Sequence, residues 1–223
     1  FVLISFMIIL STIGIETNRF NNLISKKINF TTKNINLQLN TIKFKLDIKE
    51  INLFLETQKP EINYRDIIIP AKNIKVYIDF ISLIKSKPKI KKINLTLNQL
   101  DLNQLKKISK TLKPSNFTSF INNKMYQGKL NTELEIYFDK DNLLDDFIAK
   151  GSVLNLKAKI ANNIILENTN FDFFADKSDI LIKKIFSETG PFKILDGDIK
   201  LKLSPEISIE SNFKSNLRYN KNF

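Results

Sequence analysis

From Ile35 onward the chain alternates one apolar residue with one polar residue, and this period of two is what most limits its fold. Ile35, Leu37 and Leu39 alternate with Asn36 and Gln38, and Ile42, Phe44, Leu46 and Ile48 alternate with Lys43, Lys45 and Asp47. Ile74, Val76, Ile78 and Phe80 alternate with Lys75, Tyr77 and Asp79, and Ile93, Leu95 and Leu97 repeat the pattern. Successive side chains of a strand point to opposite faces, so each stretch reads as a strand with one greasy and one wet side. Many such strands side by side make one large apolar surface. What that surface touches is the functional question.

The spacing predicts strands at about 28–39, 42–48, 50–57, 72–80 and 89–97, separated by Asn40-Thr41, Lys59-Pro60 and Lys87-Pro88. Pro ends pairing at the last two. Residues 81–88 read as a short turn-like element. A helical interlude follows, because Leu102, Leu105, Ile108 and Leu112 recur at helical spacing. Pro114 stops that run, and Ser115 can cap a second helix carrying Phe117, Phe120 and Ile121. These helices are expected to cover one end of the sheet. Strands return at 129–138, 147–160, 164–175, 178–184, 194–203 and 206–219.

The start of the chain is different. Phe1 to Ile15 is almost wholly apolar, and Phe20, Leu23 and Ile24 continue at helical spacing. Residues 1–27 therefore read as one helix, a membrane anchor followed by a short amphipathic extension. A spanning helix needs about 20 apolar residues, so part of it is expected upstream of Phe1, and both ends of the chain read as cut. A cleaved signal peptide is the rival, but no small-residue cleavage site precedes Glu16.

Net charge is +12, from 35 Lys and Arg against 23 Asp and Glu. Nearly all the cations are Lys, mostly on the polar side of strands, where charge is solvated and discourages edge pairing. Arg19, Arg65 and Arg218 are too few for bidentate base readout, so no nucleic-acid partner is expected. With no Cys and no His, disulfides, thiolate metal sites, Cys nucleophiles and His acid–base chemistry are excluded. Glu133 and Glu135 lie on the wet face of a strand, and Asp139, Asp141, Asp196 and Asp198 fall in turns, where Asp is favoured for backbone reasons. No phosphate loop or nucleophile elbow occurs. Neither an enzyme, a cofactor nor a metal is expected.

The stretch from Ile74 to Leu105 reads as a strand ending in Asp79, a Ser82-Leu83-Ile84 element, a basic strand after Lys87-Pro88, and an exit at Asp101-Leu102. This resembles the N-terminal module of the AsmA-like family, with the likeness covering about residues 1–108. Phe147 to Lys159, Asn170 to Ile182 and Asp196-Gly197-Asp198-Ile199-Lys200-Leu201 are similar to its YhdP-type members. The resemblance implies a single-span anchor in the inner membrane of a Gram-negative envelope, with the bulk of the chain in the periplasm. It also implies a β-groove lined by apolar side chains that carries phospholipid toward the outer membrane without catalysis.

Four parts are expected: the anchor and its extension at 1–27, an AsmA-like β module at 28–100, the helical interlude at 101–126, and a continuation of the groove at 127–223. The fold expected is mainly β, a long curled antiparallel-type sheet after a membrane helix. Ile35, Leu37, Phe44, Leu46, Val76, Ile78, Leu95, Leu97, Ile136 and Phe138 are the candidates for the groove lining. Asp in place of Val76 or Leu95 is expected to block lipid passage and leave anchoring intact. The alternative is an assembly factor that binds outer-membrane or other envelope proteins by strand addition at an open edge.

Overall fold

The computed structural model describes residues 1–17, 35–39, 41–48, 52–65, 67–79, 89–139, 144–203 and 206–217. The protein is mainly β, 68% strand, with one large antiparallel sheet that is not closed and, among the described residues, three short helices. It divides into two compact units, the first made of residues 1–98 and 133–147, the second of 99–132 and 148–223.

The first unit opens with helix α1 (Val2–Thr12), followed by strands β1 (Ile15–Thr17), β2 (Ile35–Gln38), β3 (Ile42–Asp47), β4 (Asn52–Gln58), β5 (Glu61–Tyr64), β6 (Ile67–Ile78) and β7 (Ile90–Leu97). The expected helix over 1–27 is corrected at Gly14. The amides of Ile13 and Gly14 both donate to the Ile9 carbonyl at 3.0 Å, closing the helix. Gly14 then turns the chain at φ 74°, and a Cβ there would meet the Phe44 carbonyl oxygen at 2.9 Å. A left-handed residue ending a helix is most often glycine for this reason. Beyond it Ile15 and Thr17 pair with Phe44 and Ile42, so the chain has already become a strand. At 11 residues α1 is short of a span, and no helix among the described residues is long and apolar enough to cross a membrane. The extension carrying Phe20, Leu23 and Ile24, Phe80, and the element at 81–88 lie outside the described residues.

Within the first unit the strands run β1-β3-β4-β6-β7, followed by the end of β9 (Met125–Phe138). Strand β6 does double duty. Its residues 67–70 pair with β5, and its residues 73–77 pair with β4. The ladder of β2, β5 and the start of β6 brings Leu37 and Ile62 against Ile42, Leu55, Ala71, Ile74, Val76 and Ile78 in one buried cluster. The apolar side of the alternation is therefore a packed core here, two layers thick.

The wet side is also covered in part, which period-two reading does not anticipate. Phe54 and Tyr77 are buried and stack at 5.3 Å. Lys92 Nζ lies 4.4 Å above the Tyr77 ring, and Lys75 Nζ lies 5.3 Å above Phe54. Lys45 Nζ sits 2.8 Å from Glu56 Oε2, and Glu56 is buried. Lys45 and Lys92 each reach a carboxylate, Glu56 and Glu135, and Lys75 and Lys92 lie over ring faces, which lets charged residues leave water.

One core position is mismatched. Thr57 is buried between Ile42 and Ile74 on its neighbouring strands, and its Oγ1 has no hydrogen-bond partner. Burying an unpaired hydroxyl costs about 1–3 kcal/mol. Thr57→Val, nearly the same shape, should raise stability by about 1–2 kcal/mol. A urea midpoint no higher than that of the parent chain would show that the hydroxyl is satisfied in solution.

The second unit begins with β8 (Leu100–Asp101) and two helices, α2 (Leu102–Thr111) and α3 (Asn116–Asn123). Both start with reciprocal caps. The Asp101 carboxylate accepts from the Gln104 amide at 2.8 Å, and Gln104 Oε1 accepts from the Asp101 amide at 3.0 Å. Ser115 Oγ accepts from the Thr118 amide at 3.2 Å, and Thr118 Oγ1 accepts from the Ser115 amide at 2.8 Å. The start of β9, all but the first four residues of β10 (Leu144–Ala161), and strands β11 (Ile164–Ala175), β12 (Asp179–Thr189), β13 (Phe192–Lys202) and β14 (Ser208–Leu217) complete it. From β10 to β14 each strand pairs with the next in sequence. Leu102, Leu105, Phe120 and Ile121 of the helices pack on Met125, Val153, Leu156, Ala158 and Phe171.

Candidate functional site

An apolar face runs across β10 to β14 of the second unit, and its continuity depends on irregularities in the strands. Register pairs place Gly151, Phe173, Ile182 and Ile199 in one row across four strands. A second row joins Ala149, Ala175, Ile180, Leu201 and Ile209. A plain strand would keep strict alternation along its length. Here the register shifts between Val153 and Leu156, between Glu167 and Asn170, and between Ile194 and Asp196. An extra residue in each of these strands moves the next one to the opposite side.

Three residues near the shifts take left-handed backbone: Asn155 at φ 51°, Asn168 at 48° and Lys184 at 53°. Asn tolerates that region better than most residues. Neighbouring strands hold the bulges with polar side chains. The Asn155 amide donates to Asn170 Oδ1 at 2.9 Å, and the Lys184 amide donates to Asp198 Oδ1 at 3.3 Å. Lys184 Nζ also donates to Asp172 Oδ2 at 3.0 Å, and that bond holds the lysine above its ordinary pKa. At the β11–β12 turn the Asp179 and Ser178 amides and the Ser178 hydroxyl all donate to Asp176, which lowers its carboxyl pKa.

With the bulges counted, Leu156, Leu166, Ile185, Ile194 and Phe213 join the same apolar face. Near its centre Ile185 is buried, and the buried hydroxyls of Thr169 and Ser187 bond one another at 2.6 Å. The helices cover the part on β10 and reach Phe171 of β11. Toward β14 the cover ends. Ile180, Ile182, Ile199 and Leu201 are half-buried, whereas Ile209 is 69% exposed and Phe213 44% exposed. Every residue of β14 is exposed.

The ten groove candidates lie in the first unit. Leu37, Val76 and Ile78 are in its buried cluster, and Phe44, Leu95 and Leu97 pack against that cluster. Leu46 is half-buried opposite Leu53. Ile136, opposite Ile93, and Phe138 are half-buried, and Ile35 pairs with Tyr64. The structure thus brings most of them together, but as packed core. The open apolar face of β12 to β14 was not among them. Its only signal in the sequence is alternation on either side of a break, such as Ile180 and Ile182 before Lys184 and Ile185 after it.

No group of three or more acidic residues that could hold a metal ion occurs among the described residues. A shallow cleft of about 580 Å³ lies in the first unit where β6 passes from one ladder to the other, floored by Ile68, Ile69, Pro70 and Ala71. No family model matches this chain, and no curated protein matches it.

Proposed function

We propose that this is a membrane-associated, non-enzymatic carrier whose apolar β-face shelters the acyl chains of phospholipid. The observation that carries this reading is the face across β12 to β14, where Ile180, Leu201 and Ile209 form one register row and Ile182 and Ile199 a second that ends at Ser211, all left half-buried or exposed. Each CH₂ withdrawn from water contributes about 0.8 kcal/mol, so an acyl chain gains by lying along such a floor. It can also slide, because each position resembles the next. Helix α1, apolar all round and mostly exposed, is the natural contact with a bilayer interior. The resemblance to the AsmA-like family points the same way, toward an anchor in the inner membrane and lipid traffic between the two membranes of an envelope.

The test is a photo-crosslinking residue placed at Ile199, at Ile182 and at the core position Val76, in the full chain, with captured species identified by mass spectrometry. Phospholipid at Ile199 and Ile182 but not at Val76 is the expected result. Ile199→Asp should then lower capture at Ile182 about tenfold or more, since a carboxylate on an apolar floor costs a few kcal/mol of acyl contact. Absence of lipid at both face positions would sink the reading.

One observation favours a second reading. Strand β14 is exposed throughout and, among the described residues, pairs only with β13, so its outer edge offers a ladder to an added strand. Protein adducts at Ile209 without lipid at Ile199 would put an assembly role first.

A further inference from the structure

The helical hairpin of the second unit carries a charge pattern that the fold does not use. Between Leu102 and Lys124 there are five lysines, at 106, 107, 110, 113 and 124, and no acidic residue. Asp101, just before, is engaged as the cap of α2. Among the described residues none of the five makes an ion pair. Elsewhere in this unit cations meet acids: Lys157 reaches Glu167 at 2.6 Å and Lys193 reaches Glu188 at 3.1 Å.

The turn between the helices and the first residues of α3 add a second signal. Residues 112 to 117 are all exposed, and two of them are large and apolar, Leu112 at 43% and Phe117 at 67%. The inner sides of both helices are already occupied by the cluster with Met125 and Leu156, so Phe117 has no packing role there. An exposed Phe and Leu bracketing Lys113 and Pro114, beside Lys107 and Lys110, combine an apolar tip with a cationic flank. That is the chemistry of a segment that dips into the headgroup region of an anionic bilayer.

We infer that the α2–α3 hairpin docks on an anionic phospholipid surface, with Leu112 and Phe117 entering the interface and the lysines pairing with headgroup phosphates. A nucleic acid would share the attraction to lysine, but the hairpin has no Arg for base readout, and an exposed Leu beside the lone Phe suits acyl chains better than stacked bases. This docking does not depend on the carriage of acyl chains by the β-face. A bilayer-bound chain that captures no lipid at Ile199, and a lipid-capturing chain whose hairpin stays in water, are different results.

The chain has no Trp, so Phe117→Trp places a single reporter at the tip. With vesicles of mixed phosphatidylglycerol and phosphatidylcholine its emission should shift blue and be quenched by brominated acyl chains. High salt should reverse both, and pure phosphatidylcholine should produce neither. Each lysine near such a surface contributes about fivefold in partitioning, so replacing Lys107, Lys110 and Lys113 by Gln should weaken binding about a hundredfold. The same substitution at the exposed Lys183, Lys202 and Lys214 removes equal net charge and should change it far less. An unshifted spectrum with anionic vesicles overturns the inference, as does an equal shift with neutral vesicles, a response to duplex DNA alone, or equal losses in the two triple variants.

Discussion

Val76→Asp will unfold the first unit and leave the second folded. Val76 is 3% exposed and packs among Leu37, Ile42, Leu55, Ile62, Ala71, Ile74 and Ile78. None of these supplies a cation or a side-chain donor, so a carboxylate there is either ionised and unpaired or protonated and unbonded. Either state costs several kcal/mol, a large share of the 5–15 kcal/mol that holds a typical domain together. Hydrogen exchange read peptide by peptide should lose protection across β3, β4, β6 and β7, while β11 to β13 keep theirs. Leu55→Ala, at 2% exposure in the same cluster, should cost about 2–5 kcal/mol and give a milder form of the same pattern. A folded Val76→Asp chain that merely captures less lipid would mean that this cluster opens to ligand, and the lining would belong here.

Gly151→Val is the second large effect, and it falls on the other unit. A Cβ on Gly151 would run into the Asn131 carbonyl oxygen and lie 3.0 Å from Phe173 Cε1. The first of these is backbone of a neighbouring strand and has nowhere to go without breaking the ladder. Overpacking of this kind costs about 3 kcal/mol or more, here by parting β10 from β9 beneath the helices. Even Gly151→Ala should share most of the loss, since the clash is at Cβ. Gly190 is the control: it turns at φ 53° with nothing within 4 Å, so Gly190→Asn should be nearly neutral. Chemical denaturation followed by circular dichroism distinguishes the two, and equal midpoints would show that β9 and β10 lie further apart than described.

Alternation located β3, β4 and β7 almost to the residue, because each is short, unbroken and apolar on one side. The helices at 102–111 and 116–123, with the break at Pro114 and the cap at Ser115, were equally legible, since caps are local chemistry. What local pattern cannot show is which layer closes over an apolar side. Leu37 and Ile62 bury the face that β3, β4 and β6 present, and nothing in the alternation of Ile74, Val76 and Ile78 says that a second ladder covers it. The wet side misled for a related reason. Lys92 and Lys45 read as solvated, yet rings and a carboxylate take them out of water. In the second unit the difficulty is parity. Asn155, Asn168 and Lys184 each accompany an added residue, so a reading in steps of two assigns everything beyond them to the wrong side. Strand β1 was hidden because Ile15 is as apolar as the helix before it, and Gly14 alone marks the change.

The neighbour-to-neighbour pairing of β10 through β14 bears on how the chain comes to be folded at all. Each ladder closes over a turn of only a few residues, so little chain entropy is lost before contacts form. A strand needs only its predecessor in place, which lets order spread along the polypeptide in the direction in which it is made. The second unit can therefore be completed one hairpin at a time, each half-finished stage exposing a single new edge. For a chain delivered end first, assembly and delivery become one process, and its duration is set by the slower of the two.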